Sequence, residues 1–137
     1  MSMTTCPDEH DLSDTSQING CAGCINMHLR DAPQHGETQD RLDRILVWDH
    51  ADDFSEREEA ALAWTESLTV LDRQTDCGPL RARLREHFCD EQVAAPIAIV
   101  GMINFWNRPA TSFAYDEHGA VTGIYIVRNP DKLVGLA

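Results

Sequence analysis

Apolar positions recur at helical spacing along most of this chain and give way to strand-like runs near its end. From Cys21 to Gln34, Ala22, Ile25, Leu29 and Ala32 mark one helix face, and Pro33 and Gly36 punctuate its end. Thr38 to Trp48 predicts a second helix through Leu42, Ile45, Leu46 and Trp48, with Thr38 as N-cap. Ser55-Glu56-Arg57-Glu58 reads as a capping box, in which serine and glutamate each satisfy a free backbone N–H of the first turn. The helix it opens carries Leu62, Trp64, Leu68 and Leu71 on a broad apolar face. Gly78-Pro79 breaks the pattern, and Leu80 to Phe88 predicts a short helix with Arg81, Arg83 and Arg85. Asp90 then starts a helix from about Glu91 to Trp106, apolar nearly all round and so expected in the core or at a subunit interface. Met1 to Gly20 is polar and too weakly patterned to predict a helix.

After Pro109 the period changes. Ser112 to Tyr115 and Ala120 to Val127 are rich in β-formers, and Asp116-Glu117-His118-Gly119 stands between them as a turn. An isolated hairpin is marginal in water, so this one is expected to lie against the helices or a neighbouring subunit. The pattern is that of an all-α bundle of roughly five helices over 1–108 with a short β-hairpin tail over 109–137.

A length of 137 residues suits one domain, and 42% hydrophobic with 25% charged residues suits a soluble globular one. The net charge of -12 changes the picture more. It argues against nucleic acid and against an anionic membrane surface, both of which require a basic footprint. Val93 to Trp106, the longest apolar stretch, is too short to span a bilayer and contains Pro96 and Asn104. Met1 to Gly20 holds Asp8, Glu9, Asp11 and Asp14 but no Lys, Arg or apolar run, so no signal peptide is expected and a cytoplasmic location is.

The candidate chemistry is Cys21-Ala22-Gly23-Cys24 followed by His28. Two thiols three residues apart can close a disulfide across one helical turn, and a histidine four residues on shares the face of the second. Five cysteines with one close pair favour, in a reducing cytosol, a reactive or metal-binding dithiol over a disulfide framework. Zinc needs four ligands, and Cys21, Cys24 and His28 supply three without a second CxxC or HxxxH, so a zinc site is the weaker reading and no metal is expected. A thiol acts as thiolate, and a helix N-terminus lowers its pKa. Gly20 fits such a helix start and would make Cys21 the more acidic thiol, while Cys24 has His28 as local base. Residue chemistry alone leaves the two roles open.

Cys6, Cys77 and Cys89 stand alone and read as small buried hydrophobes or tolerated thiols. His10, His35, His50, His87 and His118 show no partner pattern. Trp48, Trp64 and Trp106 are expected in the core, and the Arg81, Arg83, Arg85 series on a solvated face.

The run from Ser16 to His28, continuing through Arg30-Asp31-Ala32 and Gly36-Glu37-Thr38, resembles the alkylhydroperoxidase D / carboxymuconolactone decarboxylase family. Ser55 to Glu58 through Ala63 to Thr69 resembles that family's central helix, and Ile103-Asn104-Phe105-Trp106-Asn107-Arg108 its closing helix. The likeness covers about residues 9 to 108. It implies an all-α alkylhydroperoxidase D-like bundle, a homo-oligomer, and reduction of hydroperoxides without a bound cofactor. Electrons would return from an external dithiol or thioredoxin-like partner. The family's redox members carry a glutamate twelve residues before the first cysteine, a position held here by Glu9. By this resemblance Cys24 attacks the peroxide, Glu9 and His28 relay its proton, and Cys21 resolves the sulfenic acid as a disulfide.

The family's lactone decarboxylases lack the dithiol, so Cys21 and Cys24 set the chain on the peroxidase side. A decarboxylase-type enzyme and a non-catalytic remnant or interaction module are the alternatives. The chain departs from the family pattern in three places. Glu9 to Thr15 is polar where members have an aliphatic, basic helix, and Gly23 stands where an aromatic or histidine is common. Gly119 to Leu136, especially Gly123 to Leu133, instead resembles the extreme C-terminus of extracytoplasmic-function sigma factors with a SnoaL-like domain. No DNA-binding part accompanies it, and no transcription function follows.

Overall fold

Six α-helices and a pair of short strands are laid out in chain order in the computed structural model, which describes residues 9–115 and 121–124, and side chains within 13–94 and 96–113. The helices are α1 (Glu9–Ile18), α2 (Ala22–Asp31), α3 (Gln39–Asp43), α4 (Glu56–Val70), α5 (Cys77–His87) and α6 (Asp90–Ser112). Short 3-10 segments, Ala32–His35 and Ile45–His50, flank α3. The all-α expectation holds.

The polar N-terminal stretch, for which the pattern predicted no helix, is the element at the centre. α1 packs against α2, α4 and α6, and Ser13, Asp14, Thr15 and Ser16 are all fully buried. Short side chains let neighbouring helices approach closely here, so burial leaves no apolar stripe to read. The aliphatic core lies to either side. Leu62 of α4 packs with Ile45, Trp48 and Phe54 in one cluster, and Ala60 and Trp64 pack with Leu84 of α5 in another.

Thr38 caps α3 as expected, its Oγ1 accepting from Arg41 N–H at 3.4 Å. The single helix predicted over 38–48 is nevertheless broken. Val47, at φ −127 and ψ 29, leaves helical geometry, and the tighter 3-10 turn brings Ile45 and Trp48 inward while Leu46 and Val47 face outward. Gly78-Pro79 lies inside α5 rather than before it. Asp76 caps that helix by accepting from Gly78 N–H at 2.9 Å, and proline is tolerated in a first turn whose N–H groups have no intrahelical partner. Leu71 is exposed and ends α4 in the left-handed conformation (φ 51), so it leaves the apolar face assigned to it.

The arginine series lies on the exposed side of α5 as expected, and its members also make contacts there. Arg83 pairs with Glu59 at 2.6 Å, Arg85 pairs with Asp90 at 3.1 Å, and Arg81 lies over the Trp64 ring at 5.9 Å, so α5 is tied to α4 and α6. α6 runs on through Pro109 to Ser112, and Trp106 on it is exposed, not core. Directly after α6, β1 (Phe113–Tyr115) pairs antiparallel with β2 (Val121–Ile124), Phe113 opposite Ile124. The predicted turn at 116–119, the strand continuation at 125–127, the rest of the tail, Cys6 and His118 lie outside the described residues. Among the described residues no helix is long and apolar enough to cross a membrane.

The capping box of α4 forms as read. Ser55 Oγ accepts from Glu58 N–H at 3.3 Å, and Glu58 Oε2 accepts from Ser55 N–H at 2.7 Å. Arg41 reaches Glu58 at 2.6 Å while lying over the Phe54 ring at 4.7 Å, which clamps α3 to the start of α4. Burial pushes the Glu58 carboxyl up, but bonds from the Ser55 backbone and hydroxyl and from Arg41 outweigh it and hold it below its ordinary range. A carboxyl depressed in the folded state adds stability above its unfolded pKa, and that stability disappears as pH falls through the folded value. Glu58→Gln is therefore expected to lower the melting temperature at neutral pH. The gap between variant and parent should close as thermal melts are repeated at progressively more acidic pH; a gap that stays constant would mean the charge contributes nothing.

Candidate active site

The dithiol sits where one helix stops and the next begins. Gly20 adopts φ 67, a conformation costly for any side chain with a Cβ. Around it Gly20 N–H bonds to Gln17 O at 3.0 Å, and Cys21 N–H bonds to Ser16 O at 3.0 Å. This pair of bonds is the Schellman ending of α1. Gly20, expected to open the dithiol helix, is thus the stop signal of the helix before it. Cys21 follows at once as N-cap of α2, its carbonyl accepting from Ile25 N–H at 2.9 Å.

Cys21 is buried, with 1% of its surface exposed, and Cys24 in the first turn of α2 is half-buried. The two are joined as a disulfide, with their Cα atoms 5.3 Å apart. His28 lies one turn further along α2 and is buried. The free N–H groups of the first turn make this end of α2 a favourable place for a thiolate. At the far end the hydrogen bond from Arg30 (2.9 Å) holds the Asp31 carboxyl below its ordinary range, with smaller electrostatic pulls from His28 and His35. Glu9 opens α1, and its side chain lies outside the described residues. The structure thus places Cys21 and Cys24 at the start of α2 and His28 in the last turn of the same helix.

Behind the dithiol runs a buried polar network absent from the sequence-based candidates. Asn19, the last residue before Gly20, donates from its amide to Asn104 Oδ1 and to Asn107 Oδ1 on α6, both at 3.0 Å. Asn107 Nδ2 donates to Ser16 Oγ at 3.4 Å. Asn104 Nδ2 donates to Thr69 Oγ1 on α4 at 3.3 Å, and Thr69 Oγ1 lies 3.4 Å from Thr15 Oγ1 on α1. Arg108 closes one end by donating to Asn104 Oδ1 at 3.1 Å. The signal available in the sequence was the amide pair Asn104 and Asn107 inside an otherwise apolar helix.

A cleft of about 390 Å³ opens beside α2, lined by Ile25, Leu29, Leu42 and Leu46 with Gln17 and Asp43 at its polar side. Ile25 and Leu29 are the residues next after Cys24 and His28. Of the lone cysteines, Cys77 is half-buried with its sulfur 3.3 Å from Ser67 Oγ, and Cys89 is exposed. Among the described residues no cluster of three or more His, Cys, Asp or Glu is arranged to hold a metal ion.

The site lies within a recognised sequence family. The model of the carboxymuconolactone decarboxylase family matches residues 14–67, which contain the dithiol, His28 and most of α4. Over 93 residues the chain is 41% identical to the uncharacterised protein YdfG of Bacillus subtilis, a match covering 68% of this chain and 63% of that protein. The chain thus spans less than two thirds of that relative's length. A crystal structure from Agrobacterium tumefaciens, of a protein of unknown function and candidate antioxidant defence protein AhpD, superposes with a TM-score of 0.71. It is 31% identical and the match covers 75% of this chain and 71% of that one.

Proposed function

The chain belongs to the carboxymuconolactone decarboxylase family and has the fold of its alkylhydroperoxidase D-like members, and from that premise we propose that it reduces hydroperoxides through the Cys21–Cys24 dithiol. The observation that carries this reading is the closed Cys21–Cys24 pair at the start of α2 with His28 one turn away. The half-buried Cys24 is the thiol that meets substrate, and the buried Cys21 is the one that resolves.

In the reduced enzyme His28 takes the Cys24 proton, with Glu9 as the second relay group. The thiolate attacks the terminal peroxide oxygen, an S–O bond forms as the O–O bond breaks, and the returned proton converts the leaving alkoxide to an alcohol. Cys21 then attacks the Cys24 sulfenic acid, the S–S bond forms and water leaves. The dithiol has supplied two electrons and two protons, which an external dithiol or thioredoxin-like partner restores. No bound cofactor takes part. The apolar wall of Ile25, Leu29, Leu42 and Leu46 suits the organic part of an alkyl hydroperoxide. A dithiol that must be re-reduced at every turnover fits a reducing cytoplasm.

The test is intact mass and a thiol-mapped digest of reduced protein before and after one equivalent of an organic hydroperoxide. Loss of two hydrogens localised to Cys21 and Cys24 supports the proposal. Both thiols remaining reduced while the peroxide persists would overturn it.

The working form in this reading is a homo-oligomer joined through α6. Ile97, Met102, Phe105 and Trp106 are exposed along that helix, the last two at 63% and 60%, with Ala98 and Gly101 between them. Two such aromatics alone rival the largest apolar patch of a typical monomer, a few hundred Å². Among the described residues a Cβ at Gly101 would meet nothing within 4 Å, so none of them accounts for a mid-helix glycine that costs roughly 1 kcal/mol relative to alanine. Close approach of a second α6 does. Light scattering of the eluting protein should give a multiple of the chain mass for the parent and a single chain for Phe105→Asp/Trp106→Asp; a monomeric parent would end this part of the proposal.

A further inference from the structure

The buried amides behind the dithiol converge on one sulfur-bearing residue. Cys21 is held by its backbone at two points: its N–H bonds to Ser16 O, and its chain passes directly from Asn19 through Gly20. Asn107 reaches both. Its side-chain oxygen accepts from Asn19 at 3.0 Å and its amide donates to the Ser16 hydroxyl at 3.4 Å. Asn104 takes a second bond from the same Asn19 amide, so both donors of that amide are committed to α6, 85 and 88 residues away. Two bonds from a planar amide fix its position and its rotation.

The arrangement is costly unless it specifies something. Asn107, Ser16, Thr15 and Thr69 are buried, and polar groups there gain over an apolar core only when nearly every bond is made. Helix packing alone would be served by aliphatic residues. The network instead runs from α4 through α6 to the one turn that sets the distance between two sulfurs.

We infer that Asn104 and Asn107 are positioning residues for the dithiol: through Asn19 and Ser16 they hold the Cys21 backbone so that its sulfur stays within closing distance of Cys24 once the disulfide is reduced. The inference about turnover rests on the peroxidase reading; the inference about the dithiol equilibrium does not. A Cys21 held in place has a high effective concentration at Cys24, which favours the disulfide and shortens the life of a Cys24 sulfenic acid.

The test compares parent, Asn107→Ala, Asn107→Ser and Asn19→Ala. The first readout is the equilibrium constant between the protein dithiol and the dithiothreitol couple, read by thiol trapping and mass. In that exchange the Cys21 and Cys24 thiols pass two electrons and two protons to oxidised dithiothreitol, whose disulfide opens as theirs closes. The constant is expected to fall about fivefold to tenfold in Asn107→Ala and Asn19→Ala, and less in Asn107→Ser. A network that only holds helices together would stabilise both redox forms alike; melting temperatures would drop in both and the constant would stay put, which overturns the inference.

Should Asn107→Ala fail to fold, Asn107→Ser and Asn19→Ala decide by the same constant. The second readout is capture of a Cys24 sulfenic acid by a carbon nucleophile after one equivalent of hydroperoxide, expected to be negligible in the parent and prominent in the variants. If neither the parent nor any variant reacts with peroxide, the peroxidase reading fails while the equilibrium constant still judges the positioning role.

Discussion

Cys24→Ser is expected to abolish hydroperoxide consumption, whereas Cys21→Ser should complete one reaction and stop with a sulfenic acid on Cys24. A serine hydroxyl is not ionised at neutral pH and is a far weaker nucleophile toward oxygen than a thiolate, so the first loss should be at least about a thousandfold. The second variant keeps the attacking thiolate and loses the resolving one. Burial supports this assignment: Cys21 is closed off by the end of α1 and its own N-cap position, while Cys24 is the thiol with exposed surface. Stoichiometric peroxide consumption with mass analysis of each variant separates the roles. Full activity in Cys24→Ser, or a stable adduct on Cys21, would reverse them.

The largest loss of stability is expected at Leu62. It is buried on α4 among Ile45, Trp48 and Phe54, and it is the residue through which α4 grips the 3-10 turn. Leu62→Ala removes three carbons from a packed cluster whose aromatic members cannot collapse into the space. The cost should be about 3 kcal/mol, against a total stability on the order of 5–15 kcal/mol. Urea unfolding followed by circular dichroism measures it, and a loss below about 1 kcal/mol would mean that the cluster repacks around the void.

What the chain disclosed in advance follows from which interactions leave a periodic trace. α2, α4 and α6 were legible because each carries apolar residues at helical spacing or over a long run, and the Ser55 capping box because its two partners sit at a fixed spacing. The dithiol was legible for the same reason, since a disulfide across one turn requires its cysteines three apart. α1 was not, because its burial rests on short side chains and hydroxyls rather than on an apolar stripe. The Asn19, Asn104 and Asn107 contact was not, because amides brought together by tertiary packing have no spacing to recognise. Trp106 was placed inside on helical spacing, and only the direction of its helix face shows it outside. Val47 broke a helix whose spacing was sound, since the geometry that satisfies Ile45 and Trp48 together is tighter than an α-turn.

The polar lining of α1 also bears on how the protein responds to heat and cold. Exposing apolar surface raises the heat capacity of the unfolded chain, while exposing polar groups lowers it. A bundle whose innermost helix buries serines, a threonine and an aspartate therefore gains less heat capacity on unfolding than one wrapped around leucines. Its free energy of folding varies more gently with temperature, and the dithiol turn at the end of that helix keeps its geometry over a correspondingly wide thermal range.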